Sequence, residues 1–375
     1  MSKKIFILAG EPSGDLHGAA LIEKLKAKLP DLKIYGIGGE KMIEAGLQAI
    51  FHIKDFSFLG FAEVIKHLPK IFALKKSVIK FIEEENIKTV LLIDYPGFNL
   101  NLAKTLKNKG VKVLYYISPQ LWAWGSSRAK KMKNRIDKLF VIFQFEVEFF
   151  KQYGINAEFV GHPLIERIEN YKFIPPEEFF KNYNLNENQD ILLLMPGSRK
   201  HEIKLILPAI YNAAKKLKKD FNFQVVISAS SNIELDYYKN FIDSDVKLIY
   251  GNTYELLKYS KFGLVKSGTS TLEAALFELP FIVLYKTGNI TYWLGKRLVN
   301  IDSIALPNIV LGKKVVDELI QEDANEIKIY DTAKNILNDE KRMQTIKTNL
   351  SEVKNKLIAY NAKSDLVERV AEELI

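Results

Sequence analysis

The 375-residue chain is 47% hydrophobic, 11% aromatic and 26% charged, which excludes disordered, collagen-like and coiled-coil classes; at about 150 residues per domain it predicts two domains. The absence of cysteine removes disulfides, thiolate nucleophiles, iron–sulfur clusters and cysteine zinc sites, and fits a reducing compartment. With 54 basic and 45 acidic residues the net charge is +9, so the surface attracts phosphates, whether of nucleic acid, anionic lipid or phosphorylated metabolites.

Met1-Ser2-Lys3-Lys4 precedes only a short apolar run at 5–9. It reads as a first strand, not a signal peptide, and no apolar run approaches the roughly 18 residues of a membrane span. Further runs at 33–37, 89–94, 111–117, 138–143 and 157–160 leave room for helices such as 16–29 and 100–109. This rhythm predicts βα units on a parallel sheet. A polar stretch at 166–188, punctuated by Pro163, Pro175 and Pro176, reads as the linker. Strands resume at 191–195, 224–228, 246–250, 262–265 and 281–284, and after about Lys314 the pattern predicts only helices to Ile375. Two similar α/β halves with a helical tail predict a ligand cleft between them.

The first strand runs into Gly10-Glu11-Pro12-Ser13-Gly14-Asp15. The glycines suit close approach to a ligand, and Ser13 and Asp15 offer polar groups at a helix start, although Asp15 is equally a helix N-cap. The loop lacks a P-loop ending, and Gly36-Ile37-Gly38-Gly39 lacks full dinucleotide-binding spacing. Asp94, at a strand end before Tyr95-Pro96-Gly97-Phe98-Asn99, is either a base for a hydroxyl nucleophile or part of an Asx-type turn.

Pro196-Gly197-Ser198-Arg199 precedes a helix expected near Glu202. Arg199 is suited to gripping phosphate beside backbone N–H groups, or is an exposed surface arginine. Lys266-Ser267-Gly268-Thr269-Ser270-Thr271-Leu272-Glu273 enters another helix; Glu273 either completes a capping box with Ser270 or binds a ribose diol.

Phe61, Val64, Ile65, Leu68, Ile71, Phe72, Val78, Ile79 and Ile82 follow helical spacing, interrupted at Pro69, among Lys66, Lys70, Lys75, Lys76 and Lys80. Phe56, Phe58 and Leu59 lie just upstream. The stripe fits either core packing or an interfacial membrane helix. Trp122 and Trp124 precede a cluster running from Arg128 to Lys138, suited to stacking on sugars or bases, to a lipid interface, or to a solvated basic helix. The five histidines show no paired-ligand spacing, and Asp243-Ser244-Asp245 reads as a solvated turn despite its DxD form.

Taken in order, Gly10 to Asp15, Ile93 to Asn99, Ser118-Pro119 through Trp124, Gly161-His162-Pro163, Pro196 to Arg199, Ser267 through Glu273 and Leu306-Pro307-Asn308 resemble the lipid-A-disaccharide synthase family. The resemblance runs from residue 5 to about 320. It implies an α/β, GT-B-type fold of two Rossmann-like domains with a cleft between them and a helical C-terminal tail. The expected divisions are 1–170, an acceptor and membrane domain, and 171–354, a UDP-sugar domain, with 355–375 packing back on the first.

The implied reaction is an inverting, metal-independent hexosyl transfer of lipid A (lipopolysaccharide) biosynthesis in Gram-negative bacteria. UDP-2,3-diacylglucosamine and 2,3-diacylglucosamine 1-phosphate (lipid X) give the β-1,6-linked disaccharide 1-phosphate and UDP. Asp94 is the expected base or substrate-positioning carboxylate and Arg199 the second catalytic residue. Ser198, Arg199, Gly268, Thr269, Ser270, Thr271 and Glu273 are expected to hold UDP, with Glu273 on ribose. Ser13, Asp15, Glu63 and Asn308 complete the substrate site, and Phe58, Leu68 and Phe72 are expected to touch acyl chains or membrane. No metal, cofactor or nucleic acid is called for; an anionic membrane surface is, and a homodimer is compatible with the resemblance. The expected location is cytoplasmic, peripheral on the inner face of the inner membrane. His17 stands where the family pattern carries an aliphatic residue, and Lys266 where it carries a small one, adding a cation beside the diphosphate. The alternative is another GT-B UDP-sugar transferase with a lipid-linked acceptor. A nucleic-acid-binding protein is disfavoured, because the basic residues are scattered and no binding module is present.

Overall fold

A computed structural model describes residues 3–56, 61–123, 125, 128–243, 246–288, 292–293, 302–358 and 365–374, with the backbone alone at 56 and 61–68. The chain divides into two compact units, Met1–Pro163 with Leu357–Ile375, and Leu164–Lys356.

The first unit is a seven-stranded sheet in the order β3-β2-β1-β4-β5-β6-β7, with every neighbouring pair parallel. Its strands are β1 (Lys4–Ala9), β2 (Lys33–Gly38), β3 (Gln48–His52), β4 (Thr89–Ile93), β5 (Lys112–Tyr116), β6 (Lys138–Val141) and β7 (Ala157–Phe159). Helices cover both faces, so the central strands read as continuous apolar runs. Phe6, Leu8, Val90 and Leu92 face one core, and Ile5, Ile7, Ala9, Leu91 and Ile93 the other. Helices α1 (Pro12–Lys28), α2 (Glu40–Glu44), α3 (Phe61–Glu84), α4 (Pro96–Asn108), α5 (Ala129–Lys133) and α6 (Gln144–Lys151) connect the strands.

Leu74, Val78 and Ile82 of α3 are buried in the core, with Ile71 and Ile79 packed against it. Much of the described apolar stripe is therefore interior. The helix also continues through Pro69, correcting the expected interruption. Helix Leu366–Glu372 adds Val367, Val370 and Ala371 to the core on the α1 side. Each fully buried valine contributes about 1.5–3 kcal/mol of burial free energy. Glu158 and Glu373 meet Lys138 at 3.0 and 3.1 Å, Glu373 also meets Lys112 at 2.7 Å, and Arg369 pairs with Glu158.

The second unit repeats the strand logic as β10-β9-β8-β11-β12-β13, again all parallel. Its strands are β8 (Ile191–Met195), β9 (Gln224–Ala229), β10 (Lys247–Tyr250), β11 (Ser260–Lys266), β12 (Phe281–Tyr285) and β13 (Glu318–Ile320). The last strand corrects the expectation of helices alone after Lys314. It escaped notice because it is a three-residue, half-buried strand at the sheet edge. The stretch read as a linker instead carries helices α7 (Pro163–Glu169) and α8 (Pro176–Asn182), and Phe179 of α8 is fully buried. Helices α9 (Lys200–Phe221), α10 (Leu235–Lys239), α11 (Thr253–Tyr259) and α12 (Thr269–Leu276) follow, then Leu306–Leu311, Glu326–Leu337 and Glu340–Leu357.

Candidate functional site

In a doubly wound parallel sheet, chain connections leave in opposite directions at the strand where the order reverses, and the crevice there accepts ligands. In the first unit that point lies between β1 and β4, and in the second between β8 and β11. The loops after these four strands carry Gly10 to Asp15, Asp94 to Asn99, Pro196 to Arg199 and Ser267 to Thr271. The fold brings the motifs together in pairs, one pair in each unit.

In the first unit the two loops touch: a Cβ on Gly10 would stand 2.3 Å from the Tyr95 ring. Asp94 and Tyr95 both adopt left-handed backbone, with φ of 46° and 48°, a conformation that costs non-glycine residues energy unless the surroundings enforce it. The enforcement is visible. The Asp94 carbonyl accepts the Tyr115 hydroxyl at 2.6 Å and the Asn99 amide at 2.7 Å, while the Asp94 N–H reaches the Tyr116 carbonyl at 2.9 Å. Burial, then the Glu11 charge, pushes the Asp94 carboxyl up to about 6. An Asx turn would need an N–H two residues on, and Pro96 has none. Pro96 instead opens α4, with Tyr95 at its N-cap position.

Asp15 is 4% exposed and accepts the N–H groups of Gly39, Lys41 and Met42 at 2.6, 3.3 and 3.1 Å. It therefore caps the start of α2 and not its own helix, whose N-cap position is Glu11. Ser13 is exposed in the first turn of α1. His17 lies edge-on to Tyr116, at 6.5 Å. Burial and the His17 charge hold the neighbouring His162 at about 3. Beyond β5, Trp122 Nε1 donates to the buried Glu146 at 3.2 Å, and the Ser118 hydroxyl donates to the same oxygen. Burial raises Glu146 to about 7.

Of the acyl-contact candidates, Phe72 is 62% exposed, Phe58 lies outside the described residues, and only the backbone is described at Leu68 and Glu63. Trp124 also lies outside them.

The second unit holds a cavity of about 530 Å³ at the β8/β11 switch point, with Ser198, Arg199, Lys266, Gly268, Thr269, Ser270 and Glu273 in its wall. Gly197 and Gly268 have φ of 116° and 151°, so each loop turns where a side chain would be strained. Arg199 is exposed at the N-cap position of α9, which starts at Lys200, slightly earlier than expected. Gly268 is the N-cap position of α12, and Ser270 donates to the Lys266 carbonyl at 3.0 Å. The capping box, one of the two alternatives for Glu273, therefore does not form. Glu273 instead lines the cavity, and burial raises its carboxyl value against the opposing Arg167 charge. Thr271 is fully buried, with its N–H and hydroxyl both spent on the Gly268 carbonyl at 3.0 and 2.7 Å. First-turn amides of a helix lack intrahelical partners, so Thr269 and Ser270 are better placed for an anion than Thr271.

Asn308 is 2% exposed. It accepts the Val315 and Val316 N–H groups at 2.7 and 3.0 Å and donates to Glu318 at 2.8 Å, so it braces the loop before β13. Asp243 bonds Tyr211 at 2.8 Å and pairs with Lys215 at 3.5 Å, while Ser244 and Asp245 lie outside the described residues. The sequence reading missed Glu202, three residues after Arg199 in the first turn of α9, and the Ser228, Ser230 and Ser231 cluster at the end of β9, both in the cavity wall. The available signals were an acid in a helix first turn and a serine-rich strand end. Among the described residues no group of three or more His, Asp or Glu could hold a metal ion, and no helix is long and apolar enough to cross a membrane.

Two Rossmann-like parallel sheets, each with its motif loops at the switch point, define a GT-B-type fold. A glycotransferase of kitacinnamycin shares it at a TM-score of 0.67 and 11% identity, covering 100% of this chain and 98% of that one. The S. aureus MnaA–UDP co-structure does so at 0.66 and 16%, with the same coverage. A family model described as lipid-A-disaccharide synthetase matches residues 5–370. The lipid-A-disaccharide synthase of Coxiella burnetii is 35% identical over 375 residues, covering 100% of this chain and 99% of the relative. The chain belongs to the lipid-A-disaccharide synthase family of glycosyltransferases.

Proposed function

We propose that the chain condenses UDP-2,3-diacylglucosamine with 2,3-diacylglucosamine 1-phosphate, releasing UDP and forming the β-1,6-linked disaccharide 1-phosphate. The observation that carries this reading beyond family membership is the cavity at the β8/β11 switch point. It combines a guanidinium, a helix N-terminus and a half-buried carboxylate, the chemistry that suits a diphosphate joined to a ribose.

The second unit is the UDP-sugar domain. Arg199, Ser198 and the first-turn amides of α12 offset the charge that develops on the leaving diphosphate, and Glu273 accepts the ribose hydroxyls. These groups already supply positive potential, so the proposed reaction needs no divalent ion. The first unit is the acceptor and membrane domain. Asp94 takes the proton from the acceptor 6-hydroxyl as its oxygen attacks the anomeric carbon, the α-linked UDP leaves, and the configuration inverts. A carboxyl raised to about 6 is ionised at neutral pH yet more basic than an ordinary aspartate, as a general base requires. Ser13 is retained as an exposed polar group near this loop. Asp15 and Asn308 act through the loops they brace, not by touching substrate.

The exposed Phe72, with Lys76 and Lys80 on the exposed side of α3, supports peripheral attachment to an anionic bilayer, the inner face of the bacterial inner membrane, where Phe58 and Leu68 would join it. A homodimer is part of the same proposal. Mass analysis of products from the two diacylglucosamine substrates tests the reaction. The disaccharide phosphate with stoichiometric UDP is expected; product only from a different lipid-linked acceptor would replace this reading with the wider UDP-sugar transferase class.

A further inference from the structure

One ion pair in the wall of the second unit's cavity is not used by the proposed transfer. Lys266, the last residue of β11, places its ammonium 2.9 Å from Glu202 Oε1, with the side chains 20% and 10% exposed. The other Glu202 oxygen accepts the Ser198 N–H at 3.0 Å. Both loops meet this pair. A Cβ on Gly197 would stand 2.5 Å from Glu202 Oε2, and one on Gly268 would stand 3.8 Å from the Lys266 ammonium. One carboxylate thus collects a loop amide and an ammonium, the two kinds of donor that a phosphate group takes at such a loop.

We propose that Glu202 is a built-in substitute for a ligand phosphate, and that a nucleoside diphosphate draws the Lys266 ammonium away from it on binding. The inference rests on the UDP-sugar reading above and adds to it a competition inside the site. Lysine suits the exchange, since its compact charge rides on a flexible stem with three donors. Glu202 keeps the Ser198 amide after the exchange and stands as a like charge beside the diphosphate. That repulsion weakens the hold on UDP and favours its departure after transfer.

Calorimetric titration with UDP, and with uridine as a phosphate-free probe, tests the exchange. Lys266→Met should weaken UDP binding about tenfold or more, the size of one charge-assisted contact, and leave uridine binding unchanged. Glu202→Gln retains an acceptor for the Ser198 amide and should instead tighten UDP binding, again without moving uridine. The opposite signs on one ligand cannot come from a structural ion pair, whose loss would lower the melting temperature in both variants and shift neither UDP-to-uridine ratio. If Lys266→Met does not fold, Glu202→Gln decides alone. Unchanged or weakened UDP binding in Glu202→Gln, or unchanged UDP binding in a folded Lys266→Met, would overturn the exchange while leaving the UDP-sugar reading intact. No UDP binding by the unmodified chain would overturn both.

Discussion

Asp94→Asn should slow turnover and stabilise the protein at the same time. The native carboxyl is raised from 3.8 to about 6, first by burial and then by Glu11. The folded state therefore holds this proton more tightly than the unfolded chain does. Its contribution to stability is full below about pH 4 and is lost as pH rises through about 6. Above that, the folded state carries a desolvated charge costing at most about 3 kcal/mol, reduced to about 1–2 kcal/mol by the group's partial exposure. Asparagine removes the charge, keeps the shape and tolerates the left-handed backbone at φ 46°. The variant should melt roughly 2–4 °C higher per kcal/mol recovered, near pH 7.5. Its rate should fall ~100 to 10,000-fold through loss of the base. Steady-state rates with both acylated sugars between about pH 5 and 8, beside a calorimetric melt, read both effects. The unmodified protein's rate should climb to a plateau through an apparent value near 6, a limb absent from the variant. A variant within about threefold of the unmodified rate would remove Asp94 from the mechanism. A lowered melting temperature would refute the burial argument.

Glu273→Gln should weaken UDP binding about tenfold without lowering the melting temperature, because no capping box is lost and burial raises this carboxyl as it does that of Asp94; calorimetry with UDP and a thermal scan check it. Phe72→Asp should reduce sedimentation with anionic vesicles while circular dichroism stays unchanged, since that ring is exposed and the buried members of α3 are untouched. Activity should persist in excess chelator, because Arg199 and the α12 amides serve the diphosphate; rates before and after chelation, and after Mg²⁺ or Mn²⁺ return, would show otherwise only if activity vanished and the metal restored it.

The central strands were legible because helices cover both sheet faces, and such strands appear as unbroken apolar runs: Ile191 to Met195 is buried throughout and was read with the observed bounds. The strands missed were β3 and β13, both at sheet edges, where partial exposure dilutes the apolar signal. The paired motif loops were legible one by one, but their meeting at two switch points depends on strand order, which no local pattern carries. Periodicity in α3 likewise registers an apolar stripe without saying which residues are covered, so Phe72 and Val78 look equivalent until packing separates them. Asp15 and Asn308 show the same limit from the polar side. A carboxylate or amide in a functional motif looks like a ligand group, yet Asp15 binds backbone amides of another helix start and Asn308 those of the loop that follows its own helix. Glu202 is inconspicuous in sequence for the opposite reason: an acid in a helix first turn is ordinary, and only the approach of Lys266 from the end of β11 gives it interest.

The first unit is discontinuous: its core on the α1 side receives Val367, Val370 and Ala371 only after the intervening unit, about 190 residues long, has been made. At about 5–20 residues per second a ribosome takes roughly 10–40 s over that stretch. During this interval the surface formed by α1 and its neighbours lacks its apolar cover, and Lys138 and Lys112 lack Glu373. The nascent protein must therefore spend tens of seconds with one flank of a nearly finished sheet open, a natural period for chaperone attendance and for mispairing between neighbouring polysomal chains. Completion of the first unit is thus timed by synthesis of the second, so a translational pause late in the message would prolong the vulnerability of residues made at its beginning.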